Sequence, residues 1–162
     1  MKRFLPLLLL PLIFTGCLKN KDDKKDKGNI YMTVDGKPLN LSNNIIAQLG
    51  TFDQRITVLD IFGFDDADPA ARIHLVIAST APIKVGEYIR HPNVQDPSPS
   101  MDYSPDGNYF QPMISPLNSP NPLRLIITAI TIDHIEGTFS GDVEKDGLVT
   151  TITDGRFSVA LN

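Results

Sequence analysis

The carboxyl-terminal part of the chain decides the fold class. Residues 123–161 read LRLIITAITIDHIEGTFSGDVEKDGLVTTITDGRFSVAL. Apolar and polar residues alternate over most of this stretch, and β-branched and aromatic residues are frequent, which is the period-two pattern of half-buried strands. The pairs Asp146-Gly147 and Asp154-Gly155 suit tight turns, because both residue types tolerate positive φ. The stretch therefore predicts antiparallel strands over 123–132, 135–143, 148–153 and 156–161, with no crossover helix between them.

The same alternation continues toward the amino terminus. Shorter strands are predicted over 30–34, 37–41, 44–49, 55–62, 72–79 and 85–90. The strand over 72–79 is apolar on both faces apart from its ends and His74, which is typical of a central strand. Together these segments predict an all-β domain, an antiparallel sandwich or open barrel of about eight to ten strands.

Residues 91–122 interrupt this pattern, because they hold eight of the thirteen prolines. Proline lacks the N–H that a sheet ladder needs, so a long Pro-rich loop is predicted, with at most a short edge strand over 108–114. The segment also carries Met101, Tyr103, Tyr109, Phe110 and Met113. These side chains either recognise a ligand or cover an open end of the sheet, and the general avoidance of exposed apolar patches favours covering.

Several short motifs resemble one family. They are Val34-Asp35-Gly36-Lys37-Pro38, Val85-Gly86-Glu87-Tyr88, Leu125-Ile126-Ile127-Thr128, Ile132-Asp133, Gly137-Thr138-Phe139-Ser140 and Ile152-Thr153-Asp154-Gly155-Arg156-Phe157. The chain resembles small Bacteroidota lipoproteins in a patchy match that contains these motifs and spans about half of its length. The resemblance implies an all-β domain behind a lipobox signal peptide, and it implies no activity and no site.

The amino terminus has the features of an export signal. Lys2 and Arg3 precede an apolar run over 4–14, which is too short to span a bilayer as a helix. Residues 1–16 are therefore predicted to be a lipoprotein signal peptide. The segment Phe14-Thr15-Gly16-Cys17 resembles a lipobox, which implies cleavage before Cys17, a diacylglycerol thioether on its sulfur and an acyl chain, such as palmitate, on the new amine.

A charged tether is predicted to follow the lipidated cysteine. Residues 17–28 are rich in Lys and Asp and cannot bury enough apolar surface to fold, so they separate the lipid from a single β domain over 29–162. Leu18 replaces the Asp that retains many lipoproteins in the inner membrane, which by resemblance implies outer-membrane delivery. Lys21-Asp22-Asp23 also resembles a surface-export tether, and two locations stay open, the cell surface and the periplasmic face.

The domain is acidic. Residues 29–162 hold eight Lys or Arg against sixteen Asp or Glu, a net charge of −8. Nucleic-acid binding requires a basic surface, so a nucleic-acid partner is excluded. The single cysteine excludes a disulfide within the chain.

The sequence provides no recognisable catalytic or metal motif. It has no Gly-x-Ser-x-Gly elbow and no His-x-x-x-His pair, and its histidines are His74, His91 and His134. Calcium is the better metal hypothesis, on two clusters of loop oxygens: Asp65, Asp66 and Asp68, and Asp102, Asp106 and Asn108. Acidic loop residues are more often solvated turn caps, so no catalytic, metal or cofactor residue is predicted.

These observations favour a membrane-anchored, non-enzymatic binding or accessory module of the cell envelope. Its partner is the membrane, through Cys17, together with a protein or glycan ligand. The alternative is a structural subunit of an outer-membrane protein complex, and an enzyme is the third hypothesis.

Overall fold

A computed structural model describes residues 28–64, 71–93, 96–108 and 110–162. It contains eleven strands, and the described residues form no helix. The strands are β1 (Gly28–Val34), β2 (Lys37–Leu41), β3 (Asn43–Phe52), β4 (Ile56–Phe64), β5 (Arg72–Ser79), β6 (Gly86–Ile89), β7 (Ser98–Ser104), β8 (Met113–Ile114), β9 (Arg124–Ile130), β10 (His134–Lys145) and β11 (Leu148–Ala160).

All eleven strands belong to one antiparallel sheet. The main path is β2-β1-β11-β10-β8-β7-β5-β4-β3. Outside this path, β9 pairs with β10, and β6 pairs with β9. An isolated parallel bridge joins Ala47 of β3 to Leu161, and the Asn162 N–H donates to the Ala47 carbonyl over 2.9 Å. These contacts join β3, at one end of the path, to the chain just after β11, the third strand from the other end, so the sheet is a nearly closed, barrel-like structure. The predicted all-β class is confirmed, and so is the central position of β5, between β4 and β7.

The interior is filled by the inward residues of each strand. On β10 the alternation places Ile135, Gly137, Phe139, Gly141 and Val143 inside, as the period-two pattern predicts. Two glycines of the interior lie opposite phenylalanines, because Gly137 pairs with Phe157 and Phe139 pairs with Gly155. The two rings stack with centroids 6.5 Å apart. Each glycine thus leaves the space in which a ring lies against the backbone of the neighbouring strand.

The predicted turn at Asp154-Gly155 is wrong, because both residues belong to the continuous strand β11. Phe139 pairs with Gly155 while Gly141 pairs with Ile152, so β11 has one extra residue at this point. Asp154 has a φ of 53°, and the combination is a β-bulge. The dipeptide provides the positive φ that the sequence predicts, but it bends the strand and does not reverse the chain.

The predicted long loop over 91–122 is also wrong in part. It contains β7, which pairs with β5 over seven residues, and β8, which lies between β7 and β10 and is not an edge strand. Pro99 lies within β7, but β8 pairs only with Asp102 and Tyr103, so among the described residues no strand pairs with that edge of β7 at the proline. A proline without an N–H is tolerated at such an edge.

Candidate functional site

The outer face of β4, β5 and β7 carries a histidine between two carboxylates. His74 Nε2 lies 2.8 Å from Asp60 Oδ1, and its Nδ1 lies 3.6 Å from Asp102 Oδ2. Strand register produces this arrangement, because His74 pairs directly with Asp102 on β7 and with Phe62 on β4. The Phe62 ring meets the imidazole edge-on at 5.7 Å between centroids. The imidazole is thus held by an acid on each side and by an aromatic ring.

The two carboxylates favour the protonated imidazole. The nearby Asp102 carboxylate and the Asp60 carboxylate, which is hydrogen-bonded to the ring, raise the pKa of His74 above 6.5, against partial burial, which lowers it. A raised pKa in the folded state means that protonation stabilises the fold. This contribution is fully present below the unfolded-state pKa of His74 and is lost as the pH rises through the higher pKa of the folded state.

We expect the substitution His74→Asn to lower the melting temperature more at about pH 5.5 than at about pH 8.5, because the protonated form contributes the stability. Thermal melts of both proteins across this range would measure the difference. His91→Asn provides the control, since His91 is exposed and lies outside the cluster. Parallel pH curves for the wild type and His74→Asn would contradict the expectation.

A concavity of about 210 Å³ opens beside this histidine. Its lining residues are Phe62, Arg72, Ile73, His74, Asp102, Ser104 and Pro112. The walls are apolar where Phe62, Ile73 and Pro112 contribute, and the charged groups come from β5 and β7. The Ser104 hydroxyl donates to the Asn108 carbonyl over 3.2 Å, so it serves the β7–β8 connection.

Arg72 has an incompletely satisfied guanidinium. Its Nε is buried and has no hydrogen-bond acceptor in the described part of the chain. The guanidinium lies over the Phe64 ring, 5.8 Å from the centroid, and among the described residues no carboxylate is within ion-pair distance of it. A guanidinium that stacks on a ring keeps its in-plane N–H groups available for an acceptor. A buried donor without a partner costs about 1–3 kcal/mol, so the arrangement requires an explanation.

A second histidine cluster has the residue types of a catalytic triad but lacks its geometry. His134 Nε2 contacts both Ser158 Oγ, at 2.9 Å, and Glu136 Oε1, at 3.3 Å. A triad needs the serine and the acid on opposite ring nitrogens, so that the acid orients the imidazole while the other nitrogen takes the proton. Here both compete for one nitrogen on an open sheet face, and the cluster is a cross-strand polar contact.

The buried carboxylate of Asp142 holds the β8–β9 connection on the sheet. Ser119 Oγ, Asn121 Nδ2 and Thr151 Oγ1 donate to its two oxygens over 2.7, 3.0 and 2.9 Å. Burial alone would raise the pKa of Asp142, but these three hydrogen bonds outweigh it and lower the pKa. Asp142 thus has a structural role, because all of its partners belong to the protein.

The structure describes only some of the candidate lipidation, calcium and recognition residues selected from the sequence. Cys17, the acidic loop with Asp65, Asp66 and Asp68, and Tyr109 lie outside the described residues. In the second proposed calcium cluster, Asp102 contacts His74, whereas Asp106 Oδ1 accepts the Asn108 N–H over 3.1 Å as a turn cap. The described residues include no group of three or more His, Cys, Asp or Glu that could hold a metal ion.

The side chains of the Pro-rich segment differ in burial. Met101, Tyr103 and Met113 are buried and complete the core, as the covering hypothesis predicts. Phe110 is 91% exposed. The site that the structure offers instead is the concavity at His74, which the sequence did not indicate, because its residues come from four separate segments.

No family model, curated protein or solved structure matches the chain. Within the described ranges, no helix reaches the length and apolarity needed to cross a bilayer.

Proposed function

We propose that the chain is a lipid-anchored binding module of the cell envelope and that its ligand site is the concavity beside His74. The observation that carries the proposal is Arg72. Its guanidinium lines the concavity without an ion-pair partner among the described residues. Small-molecule sites usually combine apolar walls with a small number of converging polar groups.

Binding accounts for the cluster better than catalysis does. The two nitrogens of His74 each face a carboxylate, and the hydroxyl of Ser104 is engaged with Asn108. Nucleophilic catalysis needs a nucleophile in contact with a base, and the concavity supplies no such pair from its lining residues. The groups that remain available, a guanidinium and carboxylate oxygens, are recognition groups.

The location belongs to the same proposal. The signal peptide over 1–16, the lipid on Cys17 and the charged tether place the domain at the outer membrane, facing either the cell surface or the periplasm. The resemblance to Bacteroidota lipoproteins supports this placement.

A thermal-shift screen tests the binding function. The lipidated full-length chain, solubilised in detergent, would be melted in the presence of a library of small polar metabolites, sugars and amino acids. We expect at least one compound to raise the melting temperature, because a ligand at a hundred times its Kd stabilises the native state by about 2.7 kcal/mol.

Matched arginine variants locate the site of any such ligand. Arg72→Gln should abolish the thermal shift, whereas Arg156→Gln should keep it. Arg156 is a suitable control because it also stacks on a ring, 4.5 Å from the Tyr31 centroid, but on the β1–β11 part of the sheet. A screen without any stabilising compound, or an equal loss in both variants, would refute the assignment.

One observation supports the alternative, a structural subunit of a membrane complex. Ile114 and Val149 both pair with Glu144, on opposite sides of β10, and all three are exposed on one outer face. Two exposed apolar side chains that flank a charged one on a sheet face can form part of a protein contact. Co-purification of a stoichiometric protein after mild crosslinking, lost in Val149→Glu, would favour this alternative.

A further inference from the structure

Arg72 and Asp102 are opposite charges on neighbouring strands that do not pair. Arg72 lies opposite Ser104 and His74 lies opposite Asp102, so Arg72 and Asp102 are diagonal neighbours across β5 and β7. Diagonal pairs have Cα atoms about 7–8 Å apart, a distance that long side chains readily span. Here the guanidinium stacks on Phe64, and the carboxylate lies beside His74. Both groups line the same concavity.

The size of the concavity limits its occupant. At about 210 Å³ it is smaller than the roughly 300–1,000 Å³ pockets that hold drug-sized ligands. The occupant is therefore the size of one amino acid or one sugar ring. Phe62 and Pro112 give it an apolar wall, which suits an aliphatic or aromatic portion of the ligand.

The charge of the domain limits the ligand further. With a net charge of −8 over residues 29–162, the domain repels anions at long range. A simple carboxylate would be attracted by Arg72 but opposed by Asp60, Asp102 and the overall field. A ligand that also carries a positive group has no net charge, and its cation can be placed on the carboxylate side of the concavity.

We propose that the concavity binds a small zwitterion of the α-amino acid class, with the ligand carboxylate on Arg72 and its ammonium on Asp102. The proposal rests on the proposed binding function and names its ligand. The guanidinium presents N–H groups in a fork that matches a carboxylate. Asp102 offers oxygens to an ammonium, and the imidazole beside it keeps that carboxylate in place. The ligand thus completes an ion pair that the two side chains do not make with each other.

Calorimetry on the lipidated chain in detergent tests this ligand class. Each standard L-amino acid would be titrated separately, and the tightest binder would be compared with its N-acetyl and its amide derivative, which keep one charge each. We expect the free amino acid to bind and each derivative to bind at least about tenfold more weakly, because each derivative loses one charged hydrogen bond. A dipeptide with the same side chain shows whether the source is a free amino acid or a peptide.

Three variants connect the binding to the proposed contacts. Arg72→Lys keeps the charge but loses the fork, and Asp102→Asn keeps the shape but loses the charge; both should weaken binding at least about tenfold. Arg156→Gln should bind as the wild type does. Melting temperatures of all variants verify that they are folded.

The outcomes separate the ligand class from the binding function. Equal affinity for the amino acid and its N-acetyl derivative, or binding of a neutral sugar at Arg72 in place of any amino acid, would overturn the zwitterion and leave a binding module. No binding of any amino acid, together with a metabolite screen that finds no compound, would overturn both.

Discussion

Replacing Cys17 by Ser is expected to leave the protein as an unprocessed and unacylated precursor, absent from the outer membrane. The thioether requires the cysteine sulfur, and the predicted cleavage before residue 17 follows lipid transfer. One acyl chain anchors a protein only marginally, while each buried methylene contributes about 0.8 kcal/mol, so the two or three chains predicted on Cys17 would hold it durably. Almost all molecules of the variant, and not a small fraction of them, should therefore lack the lipid anchor.

Labelling with a radioactive fatty acid and the mass of the mature amino terminus would measure this effect. Asn20→Ser is the control, because it alters the same segment and leaves the lipobox intact. A mature chain that begins at a residue other than Cys17, or fatty acid retained in Cys17→Ser, would disprove the anchor.

Replacing Gly137 by Ala is expected to destabilise the domain by about 3 kcal/mol or more, because the new methyl group has no space. Its Cβ would lie 2.3 Å from the Ile126 carbonyl oxygen and 2.4 Å from Phe157 Cζ. The phenyl ring can rotate, but the carbonyl belongs to the backbone of the paired strand β9 and cannot yield without breaking the ladder.

Gly50→Ala is the matched control in chemical denaturation. Gly50 is also in a strand, but nothing lies within 4 Å of its added Cβ. We expect its free energy of unfolding to change by less than about 1 kcal/mol, and in the stabilising direction, since alanine restricts the unfolded chain. Similar unfolding midpoints for the two variants would show that the Gly137 site can relax.

Two Asp-Gly dipeptides show which part of this fold cannot be predicted from the local sequence. Asp146 and Asp154 both have a φ of 53°, so their local conformation is the same and is predictable from residue type. Asp146-Gly147 reverses the chain, while Asp154-Gly155 is a bulge inside β11. What separates them is the pairing of the flanking residues with β10 and β1, which is a long-range property.

Strand identity was predictable where alternation was strong. The inward set of β10 follows directly from the period-two pattern. β7 was not predictable, because Pro99 and Pro105 at its ends outweigh the alternation of Met101 and Tyr103 between them. The tertiary pairing with β5 overrides the low strand propensity of these residues.

The candidate site depends on register, which the sequence does not encode locally. Asp60 and Asp102 lie 14 residues before and 28 residues after His74. The strand pairings of β4 with β5 and of β5 with β7 bring these three side chains together, and a shift of one residue in either pair would send one carboxylate to the other face. The fold class could thus be predicted from the sequence, whereas the residues of the candidate site could not.

The position of the candidate site on paired strands determines how a ligand would meet it. Arg72 and His74 belong to β5, and Asp102 belongs to β7, which pairs with β5 over seven residues. The hydrogen bonds between these two strands therefore fix the spacing of the three residues before a ligand arrives. A ligand that binds there would meet a preformed site, so binding should cost little ordering of the backbone.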